Sequence, residues 1–157
     1  MMLPRKATIR EVALRDGLQS WPDFVPTEIR LEILNAVMAA GVTEFETASF
    51  VSPKAVPQMR DAAELMRQVP REGVIHAALI PNLKGAELAV DAGVDQLNVV
   101  ISASEAHNMA NFKRPIGDSL AALKPIFQRD FWRFRYCYRL ERKRKDRQRQ
   151  SRHQHTV

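Results

Sequence analysis

Short apolar runs rich in β-branched residues alternate with longer stretches of helical period between residues 7 and 126. Short apolar runs are typical of buried strands, and apolar positions that recur about every 3.6 residues are typical of helices packed on one face. The alternation predicts four consecutive strand-helix units. The predicted strands are Ala7–Leu14, Glu44–Ala48, Val74–Ile80 and Gln96–Ile101.

Four helices are predicted after these strands. They are Pro26–Ala40, Gln58–Gln68, Asn82–Asp91 and Glu105–Ile126, the last with a break around Pro115 and Gly117. The first helix has an apolar stripe that is predicted to face the core, formed by Ile29, Ile33, Leu34, Val37 and Met38. Gly41 and Gly93 follow helices where a C-terminal cap is expected, and Asn82 is a favoured N-cap residue.

Four strand-helix units with right-handed crossovers form either an open, doubly wound sheet or half of an eight-stranded TIM barrel. A dinucleotide-binding doubly wound sheet needs a glycine-rich turn after its first strand. The sequence has a single glycine there, Gly17 in RDGLQ. Dinucleotide binding of that kind is poorly supported, and the strand pattern alone leaves both architectures open.

Charge divides the chain into two unlike parts. Residues 128–157 hold 11 of the 24 Lys and Arg and 3 of the 18 Asp and Glu, a net charge of +8 within an overall +6. The remaining residues have a net charge of −2. A mildly acidic body, residues 1–127, is therefore followed by a strongly basic tail, residues 128–157. Residues 141–157 are too charged to fold alone and are predicted to be disordered.

Composition also limits the cellular setting. The sequence has no run of about 18 apolar residues, and no apolar stretch follows Arg5 and Lys6 near its start, so we expect no secretory signal and no membrane partner. Its one cysteine, Cys137, cannot form an internal disulfide. We therefore expect a cytoplasmic location.

Polar residues follow the first two predicted strands, at the points where parallel sheets place their reactive groups. Arg15, Asp16 and Gln19 come after the first strand, and Glu46 and Ser49 stand at the end of the second. Carboxylate oxygens suit hard cations such as Mg²⁺ or Mn²⁺, and an arginine can stabilise charge on a substrate oxygen. The alternative is an Arg15–Asp16 ion pair that closes a loop, with Glu46 solvated.

The histidines are weaker candidates. His76 lies within an apolar strand and is predicted to be a core or interface residue, and His107 is predicted to be a polar surface residue.

The loop sequences resemble one family, the 3-hydroxy-3-methylglutaryl-CoA lyases. The matching segments are IREVALRDGLQ, FETASFVSPKAVPQM, PNLKG and NMANFKRPIGDSL, and the resemblance covers residues 7–127. The RDG segment is common to a wider group of metal-dependent TIM-barrel lyases and carboligases. The SFVSPKAVPQM segment is far more specific to the hydroxymethylglutaryl-CoA lyases and their close relatives.

The resemblance implies a metal-dependent retro-Claisen cleavage of an acyl-CoA thioester substrate, giving acetyl-CoA and acetoacetate, as in leucine degradation and ketone body metabolism. Asp16 then looks like a ligand of Mg²⁺ or Mn²⁺, and Arg15 like the group that polarises the thioester carbonyl. Gln19 and Ser49 match substrate-binding positions, and Glu46 matches a residue that orients Arg15 or metal-bound water. Related lyases or carboligases that act on another acyl-CoA or a 2-oxo acid remain the alternative.

The resemblance also implies a fold of α/β class: a (β/α)8 TIM barrel truncated to about its first four units, with a basic C-terminal tail. The family's remaining metal ligands and its acid-base cysteine belong to the second half. Cys137, His153 and His155 lack the neighbours these roles require. We therefore expect the chain as given to be inactive, and its solubility to depend on a homodimer or a chaperone.

Three explanations of the basic tail remain open. The first is that the tail binds nucleic acid, the second is that it docks on a membrane or a protein, and the third is that it is an out-of-frame translation product. We favour the last, because only it explains why the resemblance stops in the middle of a barrel, and we do not expect a nucleic-acid partner.

Overall fold

The computed structural model describes residues 7–128 and, for the backbone alone, a strand at residues 135–141. Its strands are β1 Arg10–Glu11, β2 Glu44–Ser49, β3 Ile75–Ile80, β4 Gln96–Ser102 and β5 Arg135–Glu141. Its helices are α1 Thr27–Ala39, α2 Ala62–Gln68, α3 Leu83–Asp91, α4 Glu105–Phe112 and α5 Ile116–Gln128. The strands form one parallel sheet in the order β1-β2-β3-β4-β5. Sequential parallel order is that of a TIM barrel, whereas a doubly wound sheet reverses its order, so the predicted half-barrel is confirmed.

The first strand is much shorter than predicted. Strand β1 has two residues, and Ala13–Gly17 forms a π-helical turn in place of the predicted strand end and polar loop. Glu11 explains the early end, because its Oε1 accepts hydrogen bonds from the N–H groups of Val12 at 2.8 Å and Ala13 at 2.6 Å. These two N–H groups therefore cannot donate to a neighbouring strand, and the strand ends. Single π-helical turns are rare and frequently mark functional sites.

Strand β2 contains a β-bulge. Its register with β3 pairs Glu46 with Ala77 and then Ala48 with Ala78, which leaves Thr47 as an extra residue. Side chains alternate between faces along a regular strand, so residues 46 and 49 would lie on opposite faces. The extra residue reverses that alternation and places Ser49 on the same face as Glu46.

The helices cover one face of the sheet and enclose the apolar core, whose fully buried members include Leu34, Phe45, Leu65, Ile80 and Leu97. The stripe predicted for α1 is confirmed for Leu34, which is fully buried, and for Ile33, Val37 and Met38, which are partly buried against the core. It is wrong for Ile29, which is 44% exposed. The buried positions of α1 are Thr27, Arg30 and Leu34, so a charged residue occupies the centre of its buried face.

The predicted helix ends are confirmed. Gly41 and Gly93 have φ angles of 92° and 79°, in the left-handed region that glycine tolerates. The Asn82 side chain accepts a hydrogen bond from the Gly85 N–H at 3.0 Å at the start of α3. Gly85 is also required for close packing, because an added Cβ would lie 2.7 Å from the carbonyl oxygen of Phe50.

Two helical regions are interrupted. The region predicted as one helix over residues 58–68 is a 3₁₀ turn, Pro57–Met59, followed by α2. The predicted break near Pro115 is confirmed: Lys113 adopts a left-handed φ of 57° and α5 begins at Ile116.

The backbone of the tail adds β5, which pairs with β4 from Gln96–Arg135 to Ser102–Glu141. The β5 side chains, including that of Cys137, and residues 142–157, with His153 and His155, lie outside the described part. The statements about those three residues, and the out-of-frame explanation, therefore remain predictions. The nucleotide sequence around codon 127 tests that explanation. None of the helices in the described segments is both long and apolar enough to span a membrane.

Candidate active site at the carboxyl ends of the strands

Arg15 is the centre of a buried polar cluster. It lies in the π-helical turn after β1 and is 3% exposed. Its Nε donates a hydrogen bond to Glu46 Oε1, and its Nη1 donates to Asp16 Oδ1 at 2.5 Å. Its Nη2 is buried and has no hydrogen-bond partner among the described residues. The predicted Arg15–Asp16 ion pair exists, but Glu46 is 5% exposed, so its interpretation as a solvated residue is wrong.

Glu46 receives a second hydrogen bond from a residue that the sequence interpretation missed. Asn98 of β4 donates through Nδ2 to Glu46 Oε2 at 2.7 Å. Both oxygens of Glu46 are therefore occupied by N–H donors, from Arg15 on one side and Asn98 on the other. A signal for Asn98 exists in the sequence, because Gln96 and Asn98 are polar residues two apart in an apolar strand and so share one face.

Several buried polar atoms of the sheet have no hydrogen-bond partner among the described residues. The buried atoms without a partner in the described part of the chain include Ser49 Oγ, Asn98 Oδ1 and Ser102 Oγ, in addition to Arg15 Nη2. Ser49 pairs with Leu79 and Leu79 with Asn98, so Ser49 and Asn98 belong to one level of the sheet. Buried polar atoms are nearly always hydrogen-bonded, and exceptions require an explanation. A polar substrate bound here would supply the partners.

Asp16 lies at the solvent side of the cluster, with its side chain 52% exposed. One of its oxygens accepts from Arg15, and a carboxylate oxygen is the kind of ligand that a hard cation takes. Within residues 7–128, no group of three or more His, Cys, Asp or Glu side chains is placed to hold a metal. The described residues thus supply one carboxylate and do not form a complete metal site.

Gln19 is half-buried just beyond the π-helical turn and makes no hydrogen bond to the cluster within the described residues. The loop that follows it is attached to the loop after β2. Gln58 donates to the Trp21 carbonyl at 3.0 Å, and the guanidinium of Arg60 lies 3.4 Å from the centre of the Phe24 ring. These contacts hold two loops together beside the cluster.

A second polar cluster lies at the amino ends of the same strands. Arg10 donates to Glu44 Oε2 at 3.0 Å and to Gln96 Oε1 at 2.7 Å. Arg10 and Glu44 are direct partners in the register of β1 and β2. All three side chains have a partner, and none of their atoms is among the buried, unpartnered polar atoms of the described residues.

His76 is completely buried, as predicted for a core residue. Its Nε2 lies 2.7 Å from the Pro70 carbonyl, which can only accept, so this nitrogen is assigned the proton. The Nδ1 of the neutral ring then accepts from Thr47 Oγ1 at 2.8 Å. Burial lowers the pKa of His76 below its ordinary value and keeps the ring neutral. His107 is half-buried, less exposed than a surface residue.

The family model described as HMGL-like matches residues 6–128. The chain is 41% identical over 127 residues to the hydroxymethylglutaryl-CoA lyase YngG of Bacillus subtilis, covering 80% of this chain and 42% of the relative. It is also 41% identical over 129 residues to the 3-hydroxy-3-isohexenylglutaryl-CoA/hydroxy-methylglutaryl-CoA lyase of Pseudomonas aeruginosa, covering 82% of this chain and 43% of the relative. The chain therefore spans less than half the length of these relatives.

Similarity extends to the folded structure. The crystal structure of the Bacillus subtilis HMG-CoA lyase superposes with a TM-score of 0.83 at 37% identity, over 89% of this chain and 48% of that one. The strands and helices described above thus have the arrangement of about half of that protein.

Proposed function

Because this chain belongs to the HMGL-like family, we propose that its Arg15 cluster serves the cleavage of 3-hydroxy-3-methylglutaryl-CoA to acetyl-CoA and acetoacetate. One observation carries the proposal. A buried arginine at the carboxyl end of a parallel sheet is fixed by Glu46 while its Nη2 has no partner in the described part. The lyase names of the relatives support the reaction class.

The reaction requires a positive group at one place. The substrate hydroxyl on the third acyl carbon loses its proton, the bond between the second and third carbons breaks, and the third carbon becomes the ketone of acetoacetate. The electron pair of that bond moves onto the second carbon and the thioester oxygen as an enolate, which takes up one proton to give acetyl-CoA. A preorganised donor near the thioester oxygen stabilises this charge most effectively. We assign that role to Arg15 Nη2.

Glu46 has the geometry of an orienting group in this scheme. Both of its oxygens accept hydrogen bonds, from Arg15 and from Asn98, so it has little freedom to take the hydroxyl proton. Its charge and position keep the Arg15 guanidinium in one orientation. Ser49, whose hydroxyl has no partner among the described residues, is available to bind a substrate oxygen.

A divalent cation, Mg²⁺ or Mn²⁺, belongs to the proposal through the family resemblance. When bound, such an ion acts as a Lewis acid on substrate oxygens. Asp16 would be its ligand from this part of the protein. A hard cation held by one carboxylate keeps most of its waters, so we expect weak binding and little turnover from this chain alone.

The experiment measures turnover and substrate binding separately on the purified chain. Acetoacetate release from 3-hydroxy-3-methylglutaryl-CoA with Mg²⁺ is expected to stay far below ordinary enzyme rates. Calorimetric binding of the same thioester is expected for the unmodified chain and is expected to weaken by about tenfold or more in Arg15→Met, because a charged hydrogen bond is lost. Arg67→Met is the matched control, because Arg67 forms an exposed ion pair with Glu64 on α2.

Equal binding by Arg15→Met and the unmodified chain would contradict the proposal, because it would remove Arg15 from the site. Turnover at ordinary enzyme rates would support the proposed reaction and refute the expectation that this chain is inactive. Size-exclusion chromatography of the same sample tests whether the chain forms the expected homodimer.

A related substrate is the second candidate. The Pseudomonas aeruginosa relative is named for 3-hydroxy-3-isohexenylglutaryl-CoA as well as the methyl compound. Tighter binding of the isohexenyl thioester than of the methyl thioester would favour that candidate, and the reverse order would favour the first.

A further inference from the structure

Arg30 is a charged residue buried on the helix-covered side of the sheet, away from the substrate-facing cluster. It is 0% exposed, at the centre of the buried face of α1. Its Nη1 donates to Asp61 Oδ1 at 2.6 Å, and Thr27 Oγ1 donates to Asp61 Oδ2 at 2.6 Å. Burial lowers the pKa of Arg30 from its ordinary value, and the negative charge of Asp61 opposes that effect.

The second terminal nitrogen of the guanidinium, Nη2, reaches the backbone beside the proposed site. Arg30 Nη2 donates to the Leu14 carbonyl at 3.3 Å and lies 3.5 Å from the Thr47 carbonyl, at the limit of a hydrogen bond. Leu14 immediately precedes Arg15, and Thr47 immediately follows Glu46. One side chain thus joins the π-helical turn to the β-bulge, the two irregularities that bring Arg15 and Glu46 together.

Stability alone does not explain this ion pair. Removing two charges from water costs enough that replacing a buried ion pair by apolar residues is often neutral or stabilising. The centre of the buried α1 face could therefore hold a leucine or methionine. What an apolar residue cannot do is donate to two backbone carbonyls that belong to different strand ends.

We propose that Arg30, held by Asp61, is a positioning residue that fixes Arg15 against Glu46 by joining the two irregular backbone segments. The proposal rests on the function proposed above, because positioning matters only if Arg15 acts on substrate. Arg30 itself does not touch the cluster and acts through the backbone of Leu14 and Thr47.

The test observes Arg15 directly, without depending on activity. In the ¹⁵N-labelled chain, the exchange rate with water of the Arg15 Nε–H reports how firmly it is held by Glu46, and Arg15→Met identifies the signal. Arg30→Met/Asp61→Asn removes both charges, keeps an acceptor for Thr27, and is expected to speed this exchange about tenfold, the factor that one typical hydrogen bond provides. Arg30→Lys keeps the charge but lacks the planar fork, so an intermediate rate is expected.

Two controls separate positioning from general loss of stability. Ile126→Ala removes a fully buried side chain of α5, and Arg67→Met removes an exposed ion pair. Neither is expected to change the Arg15 exchange rate at a pH and temperature where each variant remains folded. If the double variant does not fold, the comparison of Arg30→Lys with the unmodified chain carries the test.

The outcomes are distinct. An unchanged Arg15 rate in Arg30→Met/Asp61→Asn and in Arg30→Lys overturns the proposal, as does an equal acceleration in Ile126→Ala. A faster rate confined to the Arg30 variants supports it. Thioester binding is measured separately, so an absence of binding together with a faster Arg15 rate would refute the proposed function and leave the positioning role intact.

Discussion

The half-barrel contains two polar clusters of similar composition that differ in burial and in hydrogen bonding. Each consists of an arginine from the first strand region, a glutamate from β2 and an amide side chain from β4: Arg15, Glu46 and Asn98 in the upper cluster, and Arg10, Glu44 and Gln96 in the lower one. The upper cluster lies at the carboxyl ends of the strands and the lower one at their amino ends.

The backbone beneath the two clusters differs. Arg10 and Glu44 are regular partners in the sheet, whereas Arg15 and Glu46 meet through a π-helical turn and a bulge. Side-chain exposure is 24% and 20% for the lower ion pair but 4% and 6% for the upper one. In the described part of the chain, no side-chain atom of the lower cluster is buried without a hydrogen-bond partner, whereas the upper cluster has such atoms in Arg15 Nη2 and Asn98 Oδ1. Residues of the same types are therefore more deeply buried and less completely paired where the backbone beneath them is irregular.

The largest expected difference between the clusters is in stability. Arg15→Met leaves Glu46 buried without its charged partner, which we expect to lower the free energy of unfolding by about 3–5 kcal/mol. Arg10→Met leaves Glu44 partly solvated and should cost about 1 kcal/mol or less. Urea unfolding of both variants measures the difference, and equal losses would show that the two clusters are energetically alike.

The amide residues should differ by a smaller amount. Asn98→Ala removes a buried donor to a buried carboxylate and is expected to cost about 2 kcal/mol, while Gln96→Ala removes one partner of a half-buried arginine and should cost about half as much. The Arg15 Nε–H exchange rate should rise in Asn98→Ala but not in Gln96→Ala. An effect of Gln96→Ala on that rate would contradict the independence of the two clusters.

Acid should destabilise the folded state through His76, whose neutral ring is hydrogen-bonded to Thr47, the bulge residue next to Glu46. Burial lowers the pKa of His76, so in acid the unfolded chain takes up a proton that the folded chain resists. Stability is then fully present above the unfolded pKa of about 6.5 and is lost as the pH falls from there towards the folded pKa. Urea unfolding between pH 7.5 and 5 should show this loss, and His76→Gln should reduce it. A pH dependence unchanged by His76→Gln would assign the effect to other groups.

The smallest effect on stability is expected at Ser49. Its buried hydroxyl has no partner among the described residues, so Ser49→Ala should change the free energy of unfolding by no more than about 0.5 kcal/mol. Thioester binding should nevertheless weaken, because the hydroxyl is then missing from the substrate's surroundings. Unchanged binding in this variant would remove Ser49 from the proposed site.

The sequence alone determined the order of the helices and of the first four strands, and most of their ends. Local rules suffice for these features: Asn82 caps α3, Gly41 and Gly93 end α1 and α3, and Lys113 separates α4 from α5 near the predicted break. The candidate residues Arg15, Asp16 and Glu46 could also be found, because polar residues just after the strands mark the reactive end of a parallel barrel.

Only the tertiary structure decided which of these side chains meet. Residues 46 and 49 share a face because of an extra residue in β2, Thr47, and Thr47 contacts His76 and Arg30, which are 29 and 17 residues away in the chain. Asn98 joins Glu46 across 52 residues. Interpretation of the sequence assumes regular alternation along strands and an apolar stripe along helices. The bulge in β2 is an exception to the first rule, and Arg30 on the buried face of α1 is an exception to the second. Both are stabilised by partners that the chain acquires only when distant segments pack together.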